Sequence, residues 1–509
     1  MKRYISKAGL AVALTVTLAS CDFLGEDPKT FLSPDNYYNS EAQVIAAVNG
    51  GYTFLDDIFG GDIERGTQVY LFMDYLAGYA IRPYAGASTD IYQTQNLTVE
   101  DDNLIVAKFW QTAYTAIENS NSVIEGITGS VTDDRNIMPA ASRDKLLGEV
   151  YFTRAHFYFN LVRLFGEVPL KTETTKSLDM EITLSSQEDV YTQIVADLTE
   201  AERLMTSANA PLSNVDGRIT LGAVKSLLAK VYITMAGFPL QKSEYYAKAY
   251  DKAKEVVTSG RFTLAADYAA MRAGAFSNSG EYVWALQRNP DEAGSPVHNN
   301  TLPYPAPSKP ISANSDSGGA MAPHIAFYES YDEGDLRTAE KGFYYTEHEA
   351  QDGSGPVTLN RPHIYKWWDS NAASTGKSGA NWPLIRYADV LLLMAEAKAN
   401  ADGGTTSDAA AIDAYYQVRH RAMPDEAKPA SITVNEVIRE RIHELCFEDQ
   451  TWYDMLRTRK GLNVNTGQIV NLVGLHTPAH AEGAVYGEED LLFPYPLREV
   501  RLNPNLVRQ

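Results

Sequence analysis

The chain has 509 residues and a formal net charge of −21, with 44 lysines and arginines against 65 aspartates and glutamates. That length exceeds one small core and allows two or three packed units. So acidic a chain is poorly matched to phosphate backbones and to anionic lipid, which argues against nucleic-acid binding and against charge-driven adhesion to a membrane.

In chain order, Lys2, Arg3 and Lys7 precede an apolar run from Ala8 to about Leu18. A membrane-spanning helix needs roughly 20 apolar residues, so this pattern predicts a secretory signal over 1–20. Leu18-Ala19-Ser20-Cys21 closes it and resembles a bacterial lipobox, with cleavage before Cys21 and acylation of that residue. Each buried acyl methylene contributes about 0.8 kcal/mol, so several chains hold a domain firmly at a membrane. The only other cysteine is Cys446, which leaves no disulfide framework and no cysteine-based zinc site. Residues 21–40 read as the acylated tether, with an acidic strap from Asp22 to Pro28 and a turn at Ser33-Pro34-Asp35.

A first helix is expected over Glu41–Leu55. Phe59–Glu100 lacks a helical period and is rich in Gly, Tyr and Asp, so it reads as long loops, which in compact domains are usually functional or disordered. Apolar residues at three- and four-residue steps then predict helices over Asn103–Ile127, Leu146–Phe165, Gln187–Met205, Leu221–Ala236 and Ser243–Thr258. Leu147-Gly148-x-x-Tyr151 and Leu228-Ala229-x-x-Tyr232 share the first-helix pattern of a tetratricopeptide repeat, a small residue admitting the paired helix and a tyrosine filling the gap beside it. Residues 41–260 thus read as an N-terminal helical repeat region carrying ligand loops near 59–100. Over 261–382 the period fades, short strands are expected at Tyr282–Gln287 and His363–Trp367, and Pro303, Pro305, Pro307 and Pro310 stiffen a loop. Helices return over Pro383–Ala401, Ser407–Ala422 and Val434–Arg457, and a proline-rich tail around Phe493-Pro494-Tyr495-Pro496 is expected to lie extended over the surface. The predicted fold class is mainly α: degenerate tetratricopeptide-like repeats, an irregular loop-rich subdomain at 261–382, a C-terminal helical region at 383–509, and a few short strands.

Catalytic signals do not assemble. Glu440, Glu444 and Glu448 at four-residue spacing, with Arg441 and Arg457 nearby, fit helix salt bridges better than the paired acids of a glycosidase. His443-Glu444 opens like a zinc-protease helix, but Phe447 stands where the second histidine belongs. His476 and His480 read as exposed loop histidines rather than metal ligands. Gly376-Lys377-Ser378 ends like a phosphate loop whose first glycine is replaced by Asn371. No catalytic residue, metal site or cofactor is expected.

Several blocks, in order along nearly the whole chain, resemble the SusD/RagB family of outer-membrane nutrient-binding lipoproteins. They are Arg154-Ala155, Phe165-Gly166-Glu167-Val168-Pro169-Leu170, Gly217-Arg218-Ile219-Thr220, the run from Pro383 through Arg386-Tyr387-Ala388-Asp389 to Ala397, Glu440-Arg441-x-x-Glu444-Leu445-x-Phe447-Glu448, and Phe493-Pro494-Tyr495-Pro496 with Asn503-Pro504-Asn505. Asp449, Thr451 and Tyr495 depart from the family pattern. The resemblance implies a non-catalytic lipoprotein on the cell surface, anchored through Cys21. It would capture a glycan and deliver it to a SusC-type TonB-dependent transporter, the helical repeats forming the scaffold. Peptide capture, as in some members, is the alternative ligand class, and a lipid-anchored glycosidase is the rival from another class. Sugar rings lie on aromatic faces and their hydroxyls need polar side chains. That chemistry selects Tyr79, Tyr84, Tyr92, Tyr304, Trp367 and Trp368 as candidate platforms, with at most one of the two tryptophans facing ligand, and Arg82 and Asn299 as polar contacts.

Overall fold

The computed structural model describes residues 37–60, 69–83, 89–132, 137–176, 182–213, 216–278, 280–304, 309–315 and 319–507. The signal, Cys21 and the strap, together with Tyr84, lie outside the described residues.

The first half is helical: α1 Glu41–Leu55, α2 Val69–Leu76, α3 Thr89–Asn96, α4 Leu104–Thr132, α5 Ala140–Phe165, α6 Gln187–Ser207, α7 Leu221–Ala236 and α8 Tyr245–Thr258, with the two-residue β1 Ala80–Ile81 between α2 and α3. The middle is irregular: α9 Tyr268–Gly274, β2 Tyr282–Leu286, α10 Val297–Asn300, β3 Ala322–Pro323, α11 Ile325–Tyr328, β4 Tyr344–Glu349, β5 Pro356–Ile364 and α12 Ser370–Thr375. The last part holds β6 Trp382–Arg386, α13 Tyr387–Ala401, β7 Thr405–Thr406, α14 Ala409–Ala422, β8 Ile432–Thr433, α15 Val434–Glu444, α16 Thr451–Thr458, β9 Lys460–Asn463, β10 Gln468–Asn471 and α17 Leu497–Leu502. Among the described residues the strands form only two-stranded antiparallel ribbons: β1–β3, β2–β6, β4–β5, β7–β8 and β9–β10. The fold is mainly α and built from tetratricopeptide-like helix pairs.

The repeat signature acts as its chemistry requires. A Cβ on Gly148 would overlap Met205 Cγ of α6, so the missing side chain sets how closely α5 and α6 pack. Tyr232 of α7 meets Tyr245 of α8 with ring centroids 5.6 Å apart. Thr220 caps α7 by accepting from Ala223 N–H, and Ser186 caps α6 by accepting from Asp189 N–H. One large hydrophobic core runs from Leu55 to Leu506, and smaller clusters lie beside it, one among the first helices and two within 261–382.

Four expectations are corrected. Residues 59–100 are not loops throughout: they hold α2, buried from Leu71 to Leu76, and α3, each only eight residues long and so too short to give a sustained period in the sequence. Pro383 does not open a helix but sits in β6, where Ala285 of β2 is its register partner. The expected helix 434–457 is broken between α15 and α16, where Phe447 and Asp449 adopt left-handed φ of 60° and 62°. The tail is extended but not superficial. Phe493 N–H donates to Leu164 O, and its ring packs on Phe72 and Phe165, while Tyr495 stacks edge-on against Trp110.

The charges singled out in the sequence are internal braces. Arg337 joins Asp335 (2.7 Å), Glu440 (2.7 Å) and Glu444 (3.4 Å), all fully or nearly fully buried. Arg386 joins Glu444 (3.0 Å), Glu448 (2.7 Å) and Glu281. Arg441 joins Asp389 and Asp454, and Arg457 joins Glu396 and Asp454. The structural reading of these acids stands, but their partners come from distant segments rather than from the next helical turn.

Candidate functional site

The site is assembled where four separated segments meet. Gly78 turns with φ 74°, and a Cβ there would collide with the Thr477 hydroxyl, so only glycine lets the two segments close on each other. Ala479 N–H then donates to Gly78 O, and His324 N–H donates to Tyr79 O. Ala80 and Ile81 pair with Pro323 and Ala322. The result is a small platform with the 478–481 segment on one side of β1 and β3 on the other, and β5 beyond β3. Its base is the buried Tyr79, whose hydroxyl accepts from Leu462 N–H at 2.7 Å and donates to Leu462 O at 3.0 Å, while its ring stacks on Phe327 at 4.9 Å.

On this platform lies a cleft of about 630 Å³. Ile81, Pro323, Ile325, Pro362, Pro478 and Ala479 supply apolar walls, and His324, Tyr328, Asn360 and Arg361 supply ring faces and polar groups. Ile325 is 45% exposed. Tyr328 is braced edge-on by Tyr344 at 5.1 Å, and its hydroxyl donates to Thr338 O at 3.3 Å. His324 Nδ1 accepts from Ala326 N–H at 3.1 Å, which leaves Nε2 to carry the proton of the neutral ring. Burial, reinforced by the positive Arg361 and by His476, lowers the His324 pKa against the opposing pull of Glu329. Arg361 is half-buried and forms no hydrogen bond or ion pair with another described residue. A half-open aromatic face with unpaired polar groups around it can stack a sugar ring and satisfy its hydroxyls.

A second, larger groove of about 1370 Å³ runs past Trp110, Tyr114, Glu118, Leu502 and Leu506. Two of its wall carboxylates are already engaged: Glu125 accepts from Thr174 N–H and its hydroxyl, and Glu118 from the same groups of Thr175. Among the described residues no three His, Cys, Asp or Glu side chains converge as a metal site, and no helix is long and apolar enough to cross a membrane. His443 is buried against Ser330, and Gly376 is the left-handed cap of α12. His480, expected to be exposed, is buried against Thr477, which pushes its pKa down to about 4.

The candidate platforms separate on inspection. Tyr79 is 3% exposed and Trp367 and Trp368 are each 7% exposed, so none offers a free ring face; these three are corrected to packing residues. Trp367 donates from Nε1 to Phe447 O and leans on Trp382 in the main core. Trp368 faces the opposite way, stacked on Tyr365 at 5.4 Å in a separate small core. Tyr92 is 39% exposed on α3, a helix tied to the platform because Ala481 N–H donates to Gln95 O. Arg82, directly after Ile81, is half-buried, and its Nε–H is buried without an acceptor. Asn299 accepts from Asn314 Nδ2 at 3.2 Å, and Tyr304 is half-buried against Gly319. Residues 319–323 bring these last three into one neighbourhood, because Gly319 packs on Tyr304, Met321 N–H donates to Asn300 O, and Ala322 pairs with Ile81. The residues missed were His324, Tyr328, Asn360 and Arg361. They come from two stretches without periodicity, and no motif spacing marks them.

Comparison with known proteins agrees with this architecture. A profile described as the SusD family matches residues 321–509, and one described as starch-binding associating with outer membrane matches residues 32–233. SusD-like protein P2 of Formosa agariphila is 26% identical over 97% of this chain and 97% of its own. The crystal structure of a SusD superfamily protein from Parabacteroides distasonis superposes with a TM-score of 0.81 at 32% identity, covering 93% of this chain and 98% of that one. A crystal structure with xylogluco-oligosaccharide has a TM-score of 0.70 at 21% identity, covering 91% and 98%. The chain belongs to the SusD family.

Proposed function

We propose that this protein is a glycan-binding lipoprotein of the outer-membrane surface, held through Cys21, which captures an oligosaccharide and passes it to a SusC-type TonB-dependent transporter without altering it. Family membership supports the class, and the outer-membrane association in the matching profile's description supports the place. The carrying observation is the cleft itself: Tyr328 presents a braced aromatic ring beside Asn360, Arg361 and His324, with no nucleophile or acid pair among its lining residues. Arg82, Tyr92, Asn299 and Tyr304 are the proposed neighbouring contacts of a longer ligand. Tethering beside the transporter raises effective concentration, so individually weak contacts suffice.

Titration calorimetry against panels of oligosaccharides and peptides tests this. Oligosaccharide binding that Tyr328→Ala weakens at least about tenfold, with the sugar recovered intact, is the expected result. Binding of peptides alone transfers the protein to a RagB-like role, and release of shortened sugars makes it a glycosidase.

A further inference from the structure

We propose that the oligosaccharide recognised by this cleft is anionic, carrying carboxylate or sulfate groups that pair with Arg361. The inference rests on the glycan-binding reading and names the ligand's chemical class.

A chain with 21 more acids than bases surrounds most of its cations with carboxylates. Arg154, Arg218, Arg337, Arg419, Arg441 and Arg457 all follow that pattern, each within 2.9 Å of at least one carboxylate oxygen. Arg361 does not: it stands half-buried at the cleft wall with no acid on it among the described residues. The described residues lining the cleft include no aspartate or glutamate. His324 adds no opposing charge: burial, with Arg361 and the exposed His476 nearby, lowers its pKa, so the ring stays neutral near neutral pH. The one formal charge among the described lining residues is therefore opposite in sign to the net charge of the whole protein.

The nearby acids do not cancel it. Glu329, the carboxylate felt at His324, is solvent-exposed and outside the lining. Glu340, felt at Tyr328, already accepts from the backbone N–H groups of Thr346 and Glu347. An unpaired guanidinium in a partly desolvated wall offers a planar fork of donors that matches a carboxylate or sulfate bidentately. A neutral sugar would leave that charge unanswered, whereas an acidic sugar answers it and gains a salt-sensitive attraction. Asn360 and Tyr328 would then serve the hydroxyls and the ring face.

The test is calorimetry of the full chain near neutral pH at low and at physiological ionic strength. The probes are an oligogalacturonate, a sulfated galacto-oligosaccharide, and neutral xylogluco- and cello-oligosaccharides. The expected result is that one or both acidic probes bind and weaken as salt rises. Arg361→Gln should weaken them at least about tenfold, and Arg361→Lys, which keeps the charge but loses the fork, by less. The two acidic arms decide between carboxylate and sulfate. Neutral probes binding as tightly as acidic ones, or acidic binding that ignores Arg361→Gln and Arg361→Lys in folded variants, overturns the inference while glycan binding stands. Failure of every oligosaccharide overturns the glycan reading as well.

Discussion

Arg386→Met is the sharpest test of how this fold is braced. Arg386 is fully buried on β6, and its guanidinium ties the β2–β6 ribbon to the end of α15. Nη2 lies 2.7 Å from Glu448 Oε1 and 3.0 Å from Glu444 Oε1, Nε lies 2.9 Å from Glu448 Oε2, and Nη1 pairs with Glu281. Breaking a buried pair from one side costs about 3–5 kcal/mol, because the acids stay behind without their counter-charge. Here each acid keeps another cation. Glu281 retains Arg421 at 2.6 Å, Glu444 retains Arg421 at 2.7 Å and Arg337 at 3.4 Å, and Glu448 retains Lys366. The loss should therefore fall near the lower end, about 3 kcal/mol. Glu448 has the thinnest remaining support, so Glu448→Gln added to Arg386→Met should recover about 1 kcal/mol or more. Urea unfolding followed by tryptophan fluorescence and circular dichroism measures both. A single variant within about 0.5 kcal/mol of the wild type, or losses that simply add in the double variant, would refute the reasoning.

Gly237→Ala should destabilise by about 2 kcal/mol in thermal melts, because the new methyl would overlap the Arg457 carbonyl oxygen, a backbone atom that cannot swing aside. Tyr79→Phe should cost about 1–2 kcal/mol by stranding both Leu462 backbone groups, yet leave oligosaccharide affinity unchanged; a loss of affinity with stability intact would return Tyr79 to the ligand face. Burial pushes the Asp74 carboxyl up to about 8, so the folded state holds a proton that the unfolded chain releases near pH 4, and stability should fall as pH rises from about 4 to about 8. Asp74→Asn should melt above the wild type near pH 8 and converge with it near pH 4. Glu444 behaves oppositely. Burial raises it, but Arg421, Arg386 and Arg337 outweigh this and hold its carboxyl down to about 2, so its contribution is present above about pH 4 and is lost as pH falls toward 2.

The helices most legible in the sequence were the long ones, whose apolar residues recur at three- and four-residue steps between local start and stop signals. Leu221–Ala236 has the expected bounds, and α4, α5, α6 and α8 differ only at their ends, because the apolar stripe and the caps are both written locally. Legibility failed where the element is short or where the decisive contact is remote. Nothing in residues 445–450 announces the turn that carries Glu448 back to Arg386 and Lys366. The loop aromatics were a fair guess at composition, but exposure decided among them, and exposure depends on partners hundreds of positions away, as Leu462 is for Tyr79. The cleft was illegible for the same reason: Ile81, His324, Arg361 and Pro478 share a wall only after the chain has folded.

The buried passage of Phe493 and Tyr495 has a consequence for assembly. These rings fill the seam among Phe72, Trp110 and Phe165, and the Tyr495 hydroxyl donates to Glu167 O at 2.6 Å. The first helices cannot complete their interior until residues 493–495 have been made and have folded back onto them. This segment therefore acts as a latch that closes the N-terminal interior.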